Sequence, residues 1–388
     1  MRFTLTPELQ AWQKEVGDWV EKELPKDIEG GEDAYNDDNW PKTREFRKKL
    51  GKRGWVGIGW PKEHGGMGAS VMEQVVFNET MVYHHAPLDP QIYQVCPAIM
   101  MHGSDDLKKR FLDATARQEI VWCQGFSEPN SGSDLASLQT KAVKDGDEWV
   151  INGSKIWTSY GHRADWIHIL VRTDQDVPKH KGITYLIADM HSPGVRIQPL
   201  INIAGSHGFN QVFFDNVRVP SGNIIGEVNR GWYVAMTTLD NERSGIVQVS
   251  GARRQLHDLL DYVVKTPRTS PVVRRDLAIR HRLAELAIEA EMSRNLAYRV
   301  GWLQHNGKTF DMPASISKTF ASELSQRISR AAMDSVGLYA QFWRNVKHAP
   351  LGGRLPTTYL GSIASTIAAG TSEINRNIIA TRGLGLPR

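Results

Sequence analysis

Cysteine is nearly absent from this sequence: the 388 residues include only Cys96 and Cys123. Two cysteines without metal-type spacing are too few for a disulfide framework, which favours a reducing compartment. Long hydrophobic runs are also lacking, and the chain does not begin with a basic segment followed by an apolar stretch. A membrane span and a secretory signal are therefore not expected, and we predict a cytoplasmic protein.

Charge of one sign is not in large excess either. The formal net charge is +4, with 47 basic and 43 acidic residues, so the composition does not indicate a nucleic-acid partner. A chain of this length with 40% apolar and 23% charged residues is typical of a globular protein with two or three hydrophobic cores.

The apolar residues follow three patterns along the chain. From Thr6 to about Leu112 they recur mostly at helical spacing, and between about 120 and 225 they form short β-branched runs separated by turn residues. One of these turns is predicted at Asn152-Gly153, a two-residue hairpin sequence. After Gly231 helical spacing returns in four stretches, at 232–264, 273–306, 314–336 and 358–381.

These patterns predict an α+β multidomain protein. We expect a helical domain at 1–119, a middle β-domain, barrel or sandwich, at 120–229, and a C-terminal helical bundle at 230–388.

Two segments of the β-region carry residue types suited to ligand binding. The loop Ser-Glu-Pro-Asn-Ser-Gly-Ser-Asp at 127–134 follows an apolar strand and offers hydroxyls and backbone N–H groups to an anion or a ring carbonyl. Shortly after it, Lys-Ile-Trp-Thr-Ser-Tyr-Gly at 155–161 offers an indole and hydroxyls. Taken alone, the first is more often a plain turn and Trp157 more often a core residue.

Read together, these segments resemble the acyl-CoA dehydrogenase family. Segments 127–134 and 155–159 are similar to two signatures of that family in their order and spacing, and segments 61–68 and 370–379 match it before and after them. Four ordered segments are difficult to obtain by chance. The resemblance covers essentially the whole chain and implies the family's helical, β, helical fold.

The resemblance implies FAD as the cofactor. Ser127 and Ser159 then hydrogen-bond the flavin ring, Trp157 lies beside it, and Ser133 faces cofactor phosphate and substrate. Thr371 and Glu373 match positions that reach FAD bound mainly to a neighbouring subunit, so an oligomer is expected. The full set of expected cofactor-binding residues is Gln124, Phe126, Ser127, Gly132, Ser133, Trp157, Thr158, Ser159, Thr371 and Glu373.

The implied reaction is α,β-dehydrogenation of an acyl-CoA thioester to the trans-2-enoyl-CoA, which needs a carboxylate to remove the α-proton. In much of the family this base precedes Gly-Thr, but here that residue is Ala369. Isovaleryl-CoA and long-chain dehydrogenases instead carry the base in a Leu-x-x-Glu-Arg context, which this chain matches at 239–243. Glu242 is therefore the expected catalytic base; outside this context it reads as half of a surface Glu-Arg helix pair.

The same resemblance places further residues at the substrate. Ser133, Asp240, Arg243, Ala369 and Gly370 are the expected substrate contacts, and the backbone N–H of Ala369 is expected to stabilise the enolate-like thioester oxygen. Base placement of this type is associated with branched or long acyl groups, so a bulky or branched acyl group, including one with a ring, is expected. The implied electron acceptor is an electron-transferring flavoprotein.

Two segments depart from the family pattern. Homotetrameric members contribute Arg-x-x-Phe-Gly and Gly-Gly-x-Gly-Tyr to the neighbour's FAD, and the corresponding residues here, 266–271 and 336–340, match neither. The chain thus resembles dehydrogenases built from two unlike subunits, although a homo-oligomer (dimer or tetramer) with different cofactor contacts stays open. Two other functions also stay open: a flavin oxidase or monooxygenase on the same fold, and a non-catalytic partner subunit.

Overall fold

The computed structural model describes residues 4–28, 31–241, 245–344 and 346–387, without the side chains of 31–32 and 237–241. The first part of the chain forms α-helices α1 (Pro7–Glu23), α2 (Trp40–Lys52), α3 (Val71–Tyr83), α4 (Ile92–His102) and α5 (Asp105–Ala116). Side-chain hydroxyls of Thr6, Ser70 and Ser104 cap the starts of α1, α3 and α5. The Ser70 hydroxyl accepts from the Glu73 N–H while the Glu73 carboxylate accepts from the Ser70 N–H, a capping box at the start of α3.

The middle of the chain forms a sheet of seven strands within the described residues: β1 (Trp122–Gly125), β2 (Lys141–Asp145), β3 (Glu148–Lys155), β4 (Trp166–Arg172), β5 (Ile183–Asp189), β6 (Val195–Leu200) and β7 (Phe209–Pro220). The strand order is β1-β4-β2-β3-β7-β6, with β5 paired to β4. Strands β1 and β4 run parallel, and β3 and β7 antiparallel.

The predicted hairpin turn at Asn152-Gly153 is wrong. Both residues lie inside β3, where the register against β7 shifts between Ile151 and Gly153. Gly153 has φ 144°, and a Cβ there would lie 2.7 Å from the Thr140 hydroxyl oxygen, so this glycine serves a bulge and a close backbone approach. The turn between β2 and β3 instead follows Asp145, which pairs with Glu148.

Both faces of the sheet are covered at its centre. In β4, Ile167, Ile169 and Val171 pack in the core of the β-domain, while Leu170 joins the core shared with α1–α5. A strand covered on both faces is mostly apolar without alternation, and β4 accordingly lacks an alternating pattern although it includes the buried His168.

The last part of the chain forms α6 (Gly231–Asn241), α7 (Ile246–Lys265), α8 (Leu277–His305), α9 (Asp311–Val336), α10 (Arg354–Ala364) and α11 (Ser372–Ile378). Two of the predicted continuous helical stretches are therefore interrupted. Gly245, at φ 69°, separates α6 from α7, and Ala369 and Gly370, at φ 52° and 84°, lie in the turn between α10 and α11. Left-handed backbone conformations cannot continue a right-handed helix.

The expected helical, β, helical architecture is confirmed. We propose that the domains divide after residues 119 and 229, the boundaries expected from the sequence, which fall between α5 and β1 and between β7 and α6.

A buried carboxylate joins the first and last groups of helices. Glu79 of α3 is only 2% exposed and lies 3.0 Å from Arg253 of α7. Arg294 and the Tyr298 hydroxyl, both on α8, also bind it. Across the described ranges, no α-helix has the length and apolar character needed to cross a membrane.

Candidate functional site

The two ligand-type segments of the β-domain lie side by side. The Ile156 N–H donates to the Ser127 carbonyl oxygen at 2.9 Å, and Lys155 Nζ lies 2.8 Å from Glu128 Oε1 in an ion pair whose side chains are 0% and 7% exposed. Lys155 also donates to the Phe126 carbonyl oxygen at 3.1 Å. The structure thus brings together two segments that are separated in the sequence by about twenty residues.

Glu128 has a full set of partners. Its carboxylate accepts from the backbone N–H groups of Gln139 and Thr140 at 2.6 and 2.9 Å. Burial alone raises the pKa of a carboxyl group, but the Lys155 charge and these hydrogen bonds hold the pKa of Glu128 below its usual value. Burial lowers the pKa of Lys155 to about 8, against the opposing effect of Glu128.

Glu128 and Lys155 are absent from the residues expected to bind ligand. Glu128 belongs to the matched segment 127–134 and Lys155 to the matched segment 155–159. An acidic residue in one segment and a basic residue in the other were the sequence signal that could have predicted this ion pair. Their contacts join the two loops, so their part in the site is structural.

Beside this buried pair, the expected cofactor-binding residues of the loops differ in exposure. Ser133 and Gly132 are exposed, and a Cβ on Gly132 would meet no atom within 4 Å. Trp157 is 59% exposed with φ 58°. Thr158 is fully buried, and within the described structure its hydroxyl has no hydrogen-bond partner.

This surface fits a flat ring with polar edges. An exposed indole offers an aromatic face, Ser127 and Ser159 are partly exposed hydroxyls nearby, and the space at Gly132 lets a ligand approach the backbone. The residues present therefore fit the flavin and phosphate groups of FAD.

Gln124 lies on β1, and Phe126 directly follows this strand at the start of the first loop. Gln124 Nε2 donates to Gln94 Oε1 of α4 at 2.7 Å, a contact that the sequence did not indicate. Phe126 is buried, with its ring centroid 5.6 Å from that of His168 and 5.7 Å from that of Tyr185 in edge-on arrangements. The Phe126 ring therefore packs against side chains of β4 and β5.

Four further expected residues, Ala369, Gly370, Thr371 and Glu373, lie at the turn before α11 and in its first turn. The Thr371 hydroxyl caps α11 by accepting from the Ile374 N–H at 3.2 Å, and Lys318 of α9 donates to the Gly370 carbonyl oxygen at 2.6 Å. Hydrogen bonds from its own backbone N–H and from Thr371 lower the pKa of the exposed Glu373. Burial lowers the pKa of Lys318.

A cleft of about 520 Å³ opens beside this turn. Thr371 and Glu373 line it, together with Ser372, Arg282, Glu323, Gln326, Arg327, Arg330, Thr366, Ile367 and Arg376. Four arginines against two glutamates make the cleft basic, which suits a phosphate or another anion.

The expected base and one expected substrate contact, Glu242 and Arg243, lie outside the described residues, and Asp240 is described only as backbone in α6. The residue after this segment is described. Gly245 precedes α7, and a Cβ on it would lie 3.4 Å from Ser317 Oγ. Lys318, the next residue of α9, contacts Gly370. The same stretch of α9 therefore lies beside Gly245 and contacts the turn at 369–370.

Comparison with known proteins matches the chain along most of its length. The family models for the N-terminal, middle and C-terminal domains of acyl-CoA dehydrogenases match residues 6–119, 123–217 and 229–384. The acyl-CoA dehydrogenase IpdE1 of Mycobacterium tuberculosis is 35% identical, over 89% of this chain and 88% of its own length.

Two solved structures have the same fold at similar identity. The Tcur3481-Tcur3483 steroid ACAD superposes with a TM-score of 0.91 at 31% identity, covering 100% of both chains. The ChsE4-ChsE5 complex from Mycobacterium tuberculosis superposes with a TM-score of 0.90 at 32% identity, again over 100% of both chains. With all three domain models matched in order, the chain belongs to the acyl-CoA dehydrogenase family and is an FAD-dependent oxidoreductase.

Proposed function

We propose that this chain dehydrogenates a bulky or branched acyl-CoA to the trans-2-enoyl-CoA, with Glu242 as the base. One observation carries the assignment of the base. The turn between α10 and α11 presents Ala369, which has no carboxylate, while the segment ending at Gly245 meets α9 one residue from Lys318, which binds Gly370 of that turn. Glu242 is only three residues before Gly245 in the sequence. Gly245 lies beside the same stretch of α9 that contacts the turn at position 369, where much of the family carries the base.

In this proposal FAD is held by the residues expected from the sequence. Ser127 and Ser159 would hydrogen-bond the ring, Trp157 would lie beside it, and Ser133 would face its phosphate and the substrate. Thr371 and Glu373 would reach FAD bound mainly to a neighbouring subunit. When bound, FAD supplies the acceptor for the hydride that leaves the substrate β-carbon.

The protein residues perform the proton chemistry and the orientation of the thioester. Glu242 removes the α-proton, and the backbone N–H of Ala369 donates to the thioester oxygen, where negative charge develops. Asp240, Arg243 and Gly370 line the path of the thioester. The sequence of events is removal of H⁺ to Glu242 and departure of hydride, which together leave the Cα=Cβ double bond.

The substrate class rests on the position of the base and on the relatives. A base between α6 and α7 in the sequence is associated with branched or long acyl groups, and a structural relative at 31% identity is described as a steroid ACAD. An acyl group that carries a ring is therefore the first substrate class to test. We further propose that electrons pass to an electron-transferring flavoprotein.

We propose an unlike, related subunit as the partner. Segments 266–271 and 336–340 lack the family's motifs for the neighbouring FAD, and within the second segment Leu338 is 81% exposed. Relatives of the same fold are solved as pairs of differently named chains. If the chain purified alone binds a full complement of FAD and is fully active, an obligate unlike partner is excluded.

The decisive test is Glu242→Gln, with Glu227→Gln as a control at an exposed glutamate before α6. The holoenzyme is mixed anaerobically with a panel of branched and ring-bearing acyl-CoAs, and bleaching of the flavin band is followed. Glu242→Gln should keep FAD and bind acyl-CoA, but its rate of flavin bleaching should fall by orders of magnitude. The Glu227→Gln control should bleach at the wild-type rate.

Retained bleaching in Glu242→Gln would contradict the base assignment. Peroxide formation in place of reduction of an electron-transferring flavoprotein would favour an oxidase instead. A flavin that no acyl-CoA bleaches in the wild type would point to a non-catalytic partner subunit.

A further inference from the structure

We propose that Asn210 is a positioning residue that sets the conformation of the cofactor-facing segment 157–159. The inference rests on the proposed FAD site and extends it to a residue outside the matched signatures. Its starting point is backbone conformation: Trp157 and Tyr160 have φ 58° and 54°. Bulky residues in the left-handed region are costly, so two within four residues need restraint from outside the segment.

The restraint comes from the start of β7. The Thr158 N–H donates to the Asn210 carbonyl oxygen at 3.0 Å, and the Asn210 N–H donates to the Thr158 carbonyl oxygen at 3.1 Å. The Asn210 side-chain Nδ2 donates to the same Thr158 oxygen at 3.1 Å. Thr158 is thus bound through both of its backbone polar groups, and the Tyr160 N–H donates to the Gly208 carbonyl oxygen at 2.9 Å.

The Asn210 amide is itself oriented by two histidines. His207 Nε2 lies 2.8 Å from Asn210 Oδ1, and Asn210 Nδ2 lies 3.1 Å from His162 Nδ1. The two imidazoles are stacked with centroids 3.9 Å apart. Burial, with further effects of His207 and Arg163, lowers the pKa of His162 to about 4, so at neutral pH its Nδ1 can accept from the amide.

These contacts use both donors of the amide and one of the two lone pairs of its oxygen. Both Nδ2 hydrogens have an acceptor, on Thr158 and His162, and Oδ1 has a donor on His207. Asn210 is 0% exposed, so no water is at hand to replace a lost partner. A carboxylate of the same shape supplies no donor and meets the Thr158 carbonyl oxygen with a negative charge.

Phe209, the residue before Asn210, contacts the same segment. The ring centroids of Phe209 and Trp157 are 6.0 Å apart, and the two ring planes meet at 88°. The start of β7 therefore fixes both the exposed indole and the backbone that carries the Ser159 hydroxyl. A substitution at Asn210 should therefore displace the Trp157 indole and the Ser159 hydroxyl, the two groups proposed to meet the flavin ring.

The test compares Asn210→Asp and Asn210→Ala with Gln211→Ala in the holoenzyme. Gln211 is the matched control, because it lies on the same strand but its amide reaches Ser154 Oγ at 3.4 Å instead of segment 157–159. His207→Phe serves as a milder variant, because it keeps an aromatic ring against His162 and removes only the donor to Oδ1. The readouts are FAD affinity of the apoprotein, position and shape of the visible flavin band, and tryptophan emission.

We expect both Asn210 variants to weaken FAD binding at least about tenfold and to alter the flavin band, His207→Phe to do so less, and Gln211→Ala to match the wild type. If Asn210→Asp does not fold, His207→Phe still decides, since a folded variant with unchanged FAD affinity and flavin band overturns the inference. If the wild-type protein binds FAD but acyl-CoA does not bleach its flavin band, the proposed reaction is contradicted, whereas the inference about Asn210 is not. The spectral comparison of the Asn210 and His207 variants is unaffected by that result.

Discussion

Lys155 Nζ lies 2.8 Å from Glu128 Oε1, with both side chains buried. The pair joins the end of β3 to the loop after β1, and each residue makes further hydrogen bonds to backbone groups. The two segments proposed to hold the flavin therefore depend on one buried ion pair for their relative position.

Replacing Lys155 by Met should destabilise the protein strongly. The Glu128 carboxylate would remain buried without its counter-ion, which typically costs about 3–5 kcal/mol. The measurement is the free energy of unfolding by urea, together with FAD content. Lys179→Met is the control, because it breaks the exposed pair with Asp134 and should cost at most about 1 kcal/mol. Equal losses in the two variants would show that burial does not set the cost.

A carboxylate returned to position 369 should partly restore turnover. In the Glu242→Gln background, Ala369→Glu places the base where much of the family has it, and Ala369→Gln supplies the same shape without a base. We expect anaerobic flavin bleaching to recover by at least about tenfold with Glu and not with Gln. The same recovery with both would mean that position 369 acts through shape alone.

Acid should destabilise the protein through His168. Burial lowers the pKa of this histidine to about 3, against about 6.5 in an unfolded chain. Between pH 6.5 and 3 the unfolded state binds the extra proton, so this group makes the free energy of unfolding fall as the pH falls, by about 1.4 kcal/mol per pH unit. Above pH 6.5 His168 is neutral in both states and contributes no pH dependence to the free energy of unfolding.

His168→Phe removes this titration. Its stability relative to wild type should therefore improve as the pH falls from 6.5 to 5, whatever its stability at pH 8. Thermal midpoints at several pH values provide the check, and parallel curves for the two proteins would contradict it.

The carboxylate of Glu79 should be important for stability but not for chemistry. Glu79→Ala leaves Arg253 and Arg294 without their shared partner, and we expect a loss of about 3–5 kcal/mol in the free energy of unfolding. Glu291→Ala is the control, because Glu291 is an exposed partner of the same Arg253 and should cost below about 1 kcal/mol. A comparable loss in both variants would argue that Arg253 alone is responsible.

The sequence predicted the order of helices and strands well where the local pattern was clear, as in the continuous β-branched runs of β4 and β5 and the helical spacing of α8. It failed where residues with positive φ act. Asn152-Gly153 has the composition of a hairpin turn but lies within β3, where Gly153, at φ 144°, forms part of a bulge that brings the backbone close to Thr140. The breaks at Gly245 and at Ala369-Gly370 are likewise invisible to apolar spacing.

By itself, the sequence determined the family, the cofactor and the order of the domains, because these follow from ordered local motifs and from residue periodicity. It also nominated Glu242, through the alanine at 369 and the match at 239–243. Only the tertiary structure decided that Glu128 pairs with Lys155, that Glu79 joins α3 to α7 and α8, and that Asn210 holds Thr158. Such contacts join residues far apart in the chain, and burial, which gives them their energy, exists only after folding.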